Sequence, residues 1–280
     1  MRTISAWGDK TQADIARLRL LVIGVGSVGL DVAVRLAASG ARHVGVMDFD
    51  VVREHNLDRM IGSTQSDAVI QQLKIEVARR EMERAATASS HRFLTFNQDI
   101  TTKEGQATAL DYDIVISCVD RPYPRAVLNQ MAYSDLIPVI DGGIGIDVFS
   151  DGAMRGATIR THTLTPERPC LVCSAQIEMS EVTLDKEGLL DDPSYIAEAG
   201  RAKPANQNVA LLSVGVTAGL LSQLVTLVAK PGGRGVPAPL RYVLTTQSLE
   251  HLDMESRPHC PFEAATGRGD LRVALTRSDT

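Results

Sequence analysis

The sequence predicts an α/β fold: a Rossmann-like, mainly parallel sheet with helices on both faces, extended by a smaller antiparallel part toward the C-terminus. Three observations predict it. Apolar runs alternate with helical patterns through the first half of the chain, as in successive βαβ units. The runs are continuously apolar, which suits strands covered on both faces. The first run ends in a glycine-rich turn, Gly24-x-Gly26-x-x-Gly29, that opens a helical pattern.

In chain order, strands are expected over residues 20–24, 43–48, 92–97, 114–118 and 138–141, with helices over 27–38, 71–83 and 125–133. After Gly142 the pattern changes, and 148–149, 157–160 and 242–244 read as shorter strands between turns. Residues 174–204 are polar and acid-rich and read as a long mobile lid, since connections of that length tend to be functional. Residues 209–229 carry no charge and are long enough to cross a bilayer. Ser213, Thr217 and Gln223 interrupt them and Pro231-Gly232-Gly233 ends them, so they read as a helix buried inside the protein, not as a membrane span. Gly215 and Gly219 share one face of that helix and permit close approach, either within the core or at a subunit contact. One domain is expected over 8–262, followed by a polar tail over 263–280.

The bulk properties exclude some classes. The chain has 280 residues, 44% apolar and 22% charged, with a formal net charge of -5. That composition suits a globular protein and lacks the basic footprint of a nucleic-acid partner. The first residues have no apolar core of signal-peptide length. Four cysteines do not make a disulfide scaffold in a chain this long and fit a reducing, cytoplasmic compartment better.

The glycine turn is a phosphate-binding pattern, because glycines let a phosphate approach backbone N–H groups at the positive end of a helix. Asp48 follows about twenty residues later, where an acid holds ribose hydroxyls. An NAD-dependent oxidoreductase shows the same two features. Four more residues or groups favour a triphosphate instead: a second acid, Asp50; the run Asn56-Leu57-Asp58-Arg59; Lys74 at the next helix; and Asp120 just past the apolar run 114–118. Cations neutralise phosphate oxygens and an acid holds magnesium, neither of which hydride transfer needs. Taken singly, Arg59 and Lys74 read as surface cations, Asn56 as a turn residue, Asp58 as a solvated acid and Asp120 as a helix cap. Asp50 reads as a support for Arg59 or for the loop. The order in which they stand after the glycines favours a nucleotide site.

With Ser117-Cys118-Val119-Asp120, Arg125, Asn129 and Cys170-Leu171-Val172-Cys173 added, the chain resembles the ThiF/MoeB/HesA family, relatives of the ubiquitin-activating enzymes. The resemblance implies that Asp48 holds the ribose of ATP, that Asn56, Arg59 and Lys74 engage the phosphates, and that Asp120 binds magnesium. It further implies adenylation of the C-terminal glycine carboxylate of a ubiquitin-like or sulfur-carrier protein by a homodimer, with substrate contacts from the 174–204 lid. A non-catalytic partner subunit of an activating enzyme is a rival reading, and a short peptide or a tRNA-borne carboxylate is another acceptor.

Cys170-x-x-Cys173 is half of a tetrahedral zinc site. Relatives supply the other half from a second such pair near the C-terminus. Here Cys260 fits the first position and Glu263 stands in the second. Structural zinc would take Cys170, Cys173, Cys260 and either His259 or Glu263; the bland alternative is a set of reduced thiols. Cys118 reads as core. Residues 174–230 contain no cysteine, so a thioester or persulfide step has no evident nucleophile there. The arginine that many relatives send from the N-terminus to a neighbouring subunit is matched, poorly, by Arg2 alone.

Overall fold

The structure is a computed structural model and describes residues 2–198 and 209–271. Helix α1 (Arg2–Arg17) leads into strand β1 (Arg19–Ile23), helix α2 (Ser27–Ala38) and β2 (His43–Met47). Short α3 (Gln65–Val69), α4 (Lys74–Ala85), β3 (Arg92–Phe96), α5 (Lys103–Ala109), β4 (Ile114–Ser117) and α6 (Pro122–Ser134) follow. The remainder comprises β5 (Val139–Val148), β6 (Met154–Leu164), α7 (Met179–Lys186), α8 (Pro193–Glu198), α9 (Ala210–Ala229), β7 (Leu240–Val243), β8 (Ser248–His251) and α10 (Pro261–Ala264).

The strands form one 8-stranded sheet in the order β3-β2-β1-β4-β5-β6-β7-β8. Pairing is parallel from β3 to β5 and antiparallel from β5 to β8. The chain winds outward from β1 in one direction and from β4 in the other. That reversal leaves a crevice beyond the strand C-termini, where ligands bind in such sheets. Leu20, Val22 and Val44 pack with α2, α4 and α9 on one face, and Leu21, Ile23 and Val115 pack with α6 on the other. Continuous apolar strands are therefore covered on both sides, as their sequence requires.

Several expectations change. The strand expected at 138–141 and the fragment at 148–149 are one strand, β5, 10 residues long. Glycines in it read as turn signals, but they serve close approach: a Cβ on Gly142 would meet Leu220 of α9 at 2.7 Å. Residues 71–73 are not helical. Gln71 has φ 52 and Leu73 bridges to Val51, so α4 begins at Lys74. Helix α6 begins earlier than expected, with Pro122 in its first turn, where proline's missing N–H costs nothing. The 174–204 segment carries α7 and α8 over its described part; residues 199–204 lie outside the described residues. The tail's beginning is seated, with the Gly267 N–H donating to the Tyr133 carbonyl at 3.0 Å; residues 272–280 lie outside the described residues. Helices α1, α3 and α5 and strand β8 were not expected.

Helix α9 is buried on one face only. Val216, Leu220 and Leu224 are buried, whereas Leu211 is 86% exposed. It is the one described helix long and apolar enough to cross a membrane, and here it lies on β5, β6 and α2. Its glycine pair settles within the chain. A Cβ on Gly215 would meet Ile159 at 2.5 Å, and one on Gly219 would meet Thr161 at 2.7 Å.

Candidate nucleotide site and metal centre

A cleft of about 580 Å³ lies beyond the C-terminal ends of β1, β2 and β4. Gly24, Gly26, Asp48, Asp50, Asn56, Arg59, Lys74 and Asp120 all line it. Gly29 does not, and its role is packing. An added Cβ there would sit 1.9 Å from the Gly24 carbonyl oxygen. Gly24 itself has φ +86, and a Cβ on it would stand 2.8 Å from the Cys118 carbonyl. The loop can fold back against β4 only with glycine at both positions.

The loop leaves α2 open at its N-terminus. Gly26 occupies the cap position with no side-chain cap, so first-turn N–H groups remain for a ligand. Asp48 fixes the loop to the end of β2. Its Oδ2 accepts from the Val25 N–H at 2.6 Å and its Oδ1 from the Asp50 N–H at 2.8 Å. Burial pushes the Asp48 carboxyl above its usual range, against the pull of Lys74. Each carboxylate oxygen keeps further acceptor capacity, so the loop contacts leave room for ribose.

Asp50 pairs with Lys74 at 2.7 Å and not with Arg59. The Lys74 N–H also donates to the Asp50 carbonyl at 3.0 Å, which tethers the start of α4 to the end of β2. Arg59 donates to the His55 carbonyl and to Asp58 at 3.1 Å, so exposed Asp58 has a partner. The Asn56 Oδ1 accepts from the Arg53 N–H at 2.9 Å, closing the tight turn Glu54–Asn56. Asn56 thus closes the turn and also lines the cleft.

Asp120 is exposed and has no hydrogen-bonded or ion-paired partner among the described residues. It is not the cap of α6: Arg121 holds that position, and the Tyr123 N–H donates to Asp185 at 2.9 Å. A hard carboxylate oxygen free at the cleft rim fits magnesium. Cys118, read as core, is half-buried, lies just past β4 and lines the cleft. Burial pushes its thiol well up.

Arg121, Asp185 and Asp191 also line the cleft and were not singled out from the sequence. The Arg121 guanidinium binds Asp185 at 2.8 Å through Nε and Asp191 at 2.8 Å through Nη2. These contacts tie the end of α7 to the start of α6. The acid-rich composition of 174–204 was the only signal, and the partners stand 64 and 70 positions away.

A second cluster lies apart from the cleft. One ligand atom each from Cys170, Cys173, Cys260 and Glu263 lies within 4.8 Å of all the others. The Cys173 N–H points at the Cys170 Sγ at 3.4 Å and the Arg257 N–H at the Cys173 Sγ at 3.2 Å. Buried sulfurs receiving N–H groups, with a carboxylate completing four ligands, fit zinc. Glu263 would supply the fourth ligand, since it stands within α10, which Cys260 caps; His259 is exposed and outside the cluster.

Comparison with known proteins agrees with this geometry. The model of the ThiF family matches residues 1–261. The molybdopterin-synthase adenylyltransferase of Escherichia coli is 30% identical over 161 residues, 57% of this chain and 59% of that protein. The adenylyltransferase and sulfurtransferase UBA4 of Meyerozyma guilliermondii is 28% identical over 140 residues, 50% of this chain and 32% of that protein. The match thus spans less than two thirds of either relative's length. E. coli MccB, in a crystal structure with ATP, superposes with a TM-score of 0.66 at 18% identity, covering 89% of this chain and 68% of that one; at that identity the likeness concerns the fold. A glycine loop, an acid at the end of β2 and two cations at one crevice, joined to a match along almost the whole chain, lead to one assignment: the chain belongs to the ThiF family.

Proposed function

We propose that this chain is an ATP- and magnesium-dependent adenylyltransferase acting on the C-terminal glycine carboxylate of a ubiquitin-like or sulfur-carrier protein. One observation carries the reading: the open N-terminus of α2, Asp48, Asn56, Arg59, Lys74 and the unpartnered Asp120 converge on one cleft at the reversal of the sheet. The names of the relatives, adenylyltransferases in both cases, support it.

The chemistry asks for positioning and charge neutralisation. The α2 N-terminus, Arg59 and Lys74 meet the phosphates, Lys74 exchanging Asp50 for a phosphate oxygen. Asp120 would hold magnesium, which supplies further charge neutralisation on the phosphate oxygens. A carboxylate oxygen of the acceptor attacks the α-phosphorus, the bond to the bridging oxygen breaks, and pyrophosphate leaves. The attacking group is already ionised at neutral pH, so no side chain need take its proton. The reading stops at the acyl-adenylate: Cys170, Cys173 and Cys260 belong to the metal-type cluster, and burial raises the Cys118 thiol away from the reactive thiolate range. The reading includes structural zinc, a cytoplasmic setting and a homodimer.

The test is ATP–pyrophosphate exchange with a panel of carriers ending in Gly-Gly. Exchange with at least one carrier, lost in Asp120→Ala, is the expected result. No exchange with any carrier, under conditions where ATP with magnesium raises the melting temperature, overturns the reading in favour of a non-catalytic subunit. Stabilisation by NAD in place of ATP overturns it in favour of an oxidoreductase.

A further inference from the structure

On the sheet face away from α9, the C-terminal end of β4 and the first half of β5 meet β6 in a buried polar cluster. Asp141 accepts from the Ser117 hydroxyl at 2.8 Å and from Arg125 at 2.6 Å through Nη2. Arg125 also donates to the Gln176 carbonyl at 3.0 Å, so this ion pair is complete. Arg160 is not so served. It pairs in register with Gly143, and a Cβ on that glycine would stand 3.2 Å from the Arg160 Nη2. Its guanidinium thus lies over the one residue type that leaves space for it. Its Nε is buried without a partner, and it forms no ion pair among the described residues.

Two positions further along β6, on the same face, His162 is 0% exposed. Its Nδ1 meets the Gln176 Nε2 at 2.9 Å, while the His162 Nε2 and the Gln176 Oε1 are buried without partners. With the amide donating to Nδ1, the imidazole carries its proton on Nε2. Burial holds the His162 pKa down at about 4, so it adds no charge at neutral pH. Asp141 is taken by Arg125, so the positive charge of Arg160 is left over. An unpaired charge at a half-buried position and orphaned buried polar atoms are costly in a folded chain and concentrate where a ligand completes them.

Three groups are left orphaned: the N–H donors of Arg160 and His162, two positions apart on one face of β6, and the amide oxygen of Gln176, whose Nε2 meets His162. The last residue of a peptide presents the complement, a carboxylate to accept from both donors and an adjoining N–H to donate. The cluster is also placed for it. Cys118, next after Ser117, lines the nucleotide cleft, and so does Asp185 of α7, the helix that follows Gln176. The phosphate-facing cations, Arg59 and Lys74, follow β2, on the other side of β1. Arg160 is half-buried, so part of its side chain reaches the surface, although none of the three residues lines the cleft itself.

We propose that Arg160, His162 and Gln176 form the receptor for the C-terminal carboxylate of the acceptor chain, a subsite that rests on the adenylation reading above. Titration calorimetry of the full chain with hexapeptides ending in Gly-Gly, as free acid and as C-terminal amide, tests it. The wild type binds the acid roughly tenfold tighter than the amide, as one charge-assisted contact warrants. Arg160→Met loses that preference and melts at a higher temperature, since the surplus charge is gone; Arg160→Lys keeps part of the preference. Equal affinity for acid and amide in the wild type, no binding of either at millimolar concentration, or an Arg160→Met protein that still prefers the acid overturns the proposal. Acid preference without pyrophosphate exchange keeps the subsite and removes adenylation. Exchange whose acceptor KM is unmoved in Arg160→Met keeps adenylation and removes the subsite.

Discussion

The two halves of the sheet hold their charges in opposite ways. At the parallel half, Lys74 and Arg59 pair with Asp50 and Asp58 at the surface, the carboxylates being 55% and 71% exposed. At the antiparallel half, Arg125 and Asp141 are sealed at 6% and 1% exposure, and Arg160 beside them forms no ion pair among the described residues. Exposed pairs cost little to break, so the cleft cations can exchange an acid for a phosphate. A sealed pair is expensive to disturb, so the second cluster is a fixed frame in which one missing charge stands out.

The comparison can be broken or sharpened by substitution. The largest effect is expected at the hinge of the parallel half, where Gly29→Val would drive a side chain into the Gly24 carbonyl. Overpacking of this kind costs about 3 kcal/mol or more, and urea denaturation should find the variant unfolded or nearly so. Next comes Asp141→Asn, which keeps the shape but leaves two guanidinium groups without a carboxylate. Loss of about 3–5 kcal/mol is expected; a loss below about 1 kcal/mol would mean that the pair is not sealed.

His162 sets a pH signature for the same half. Its folded pKa, about 4, is depressed below the usual value near 6.5. The unfolded chain therefore binds the proton first, and stability present above about pH 6.5 falls as pH drops toward 4. The loss is on the order of 3 kcal/mol, and His162→Leu should flatten that limb of the stability curve. Asp141, held below the usual carboxylate range chiefly by Arg125 against the effect of burial, acts at lower pH, where protonation removes the pair's contribution. The smallest effect on folding belongs to Asp50→Asn, about 1 kcal/mol or less in denaturant, because the Asp50 carboxylate is 55% exposed. A larger loss there would blur the contrast between the halves.

The parallel half was legible because its groups are local. Glycine loop, Asp48, Asn56, Arg59 and Lys74 fall within one βαβ stretch, and each follows a strand or opens a helix. The antiparallel half was not, because its meaning lies in pairings across the chain. Gln176 meets His162, and Arg121 meets Asp185 and Asp191, only after β6 and α7 fold back over α6. Helix α1 was missed for a related reason. It is polar and interrupted at Gly8, with φ 83, and it is held through the Gln12 side chain, which donates to the Ser39 carbonyl at 2.9 Å and accepts from Trp7 at 3.1 Å.

The sequence by itself determined the fold class, the glycine loop and those cleft residues that follow a strand or open a helix close by, since periodicity and glycine spacing act over a single strand–turn–helix unit. Only the tertiary structure decided that Asp50 serves Lys74, that Glu263 and not His259 joins the cysteines, that Gly215 and Gly219 pack inside the chain, and that Arg160 has no ion-pair partner among the described residues. Those outcomes depend on which distant side chains burial brings within hydrogen-bonding reach, and that is a property of the packed molecule.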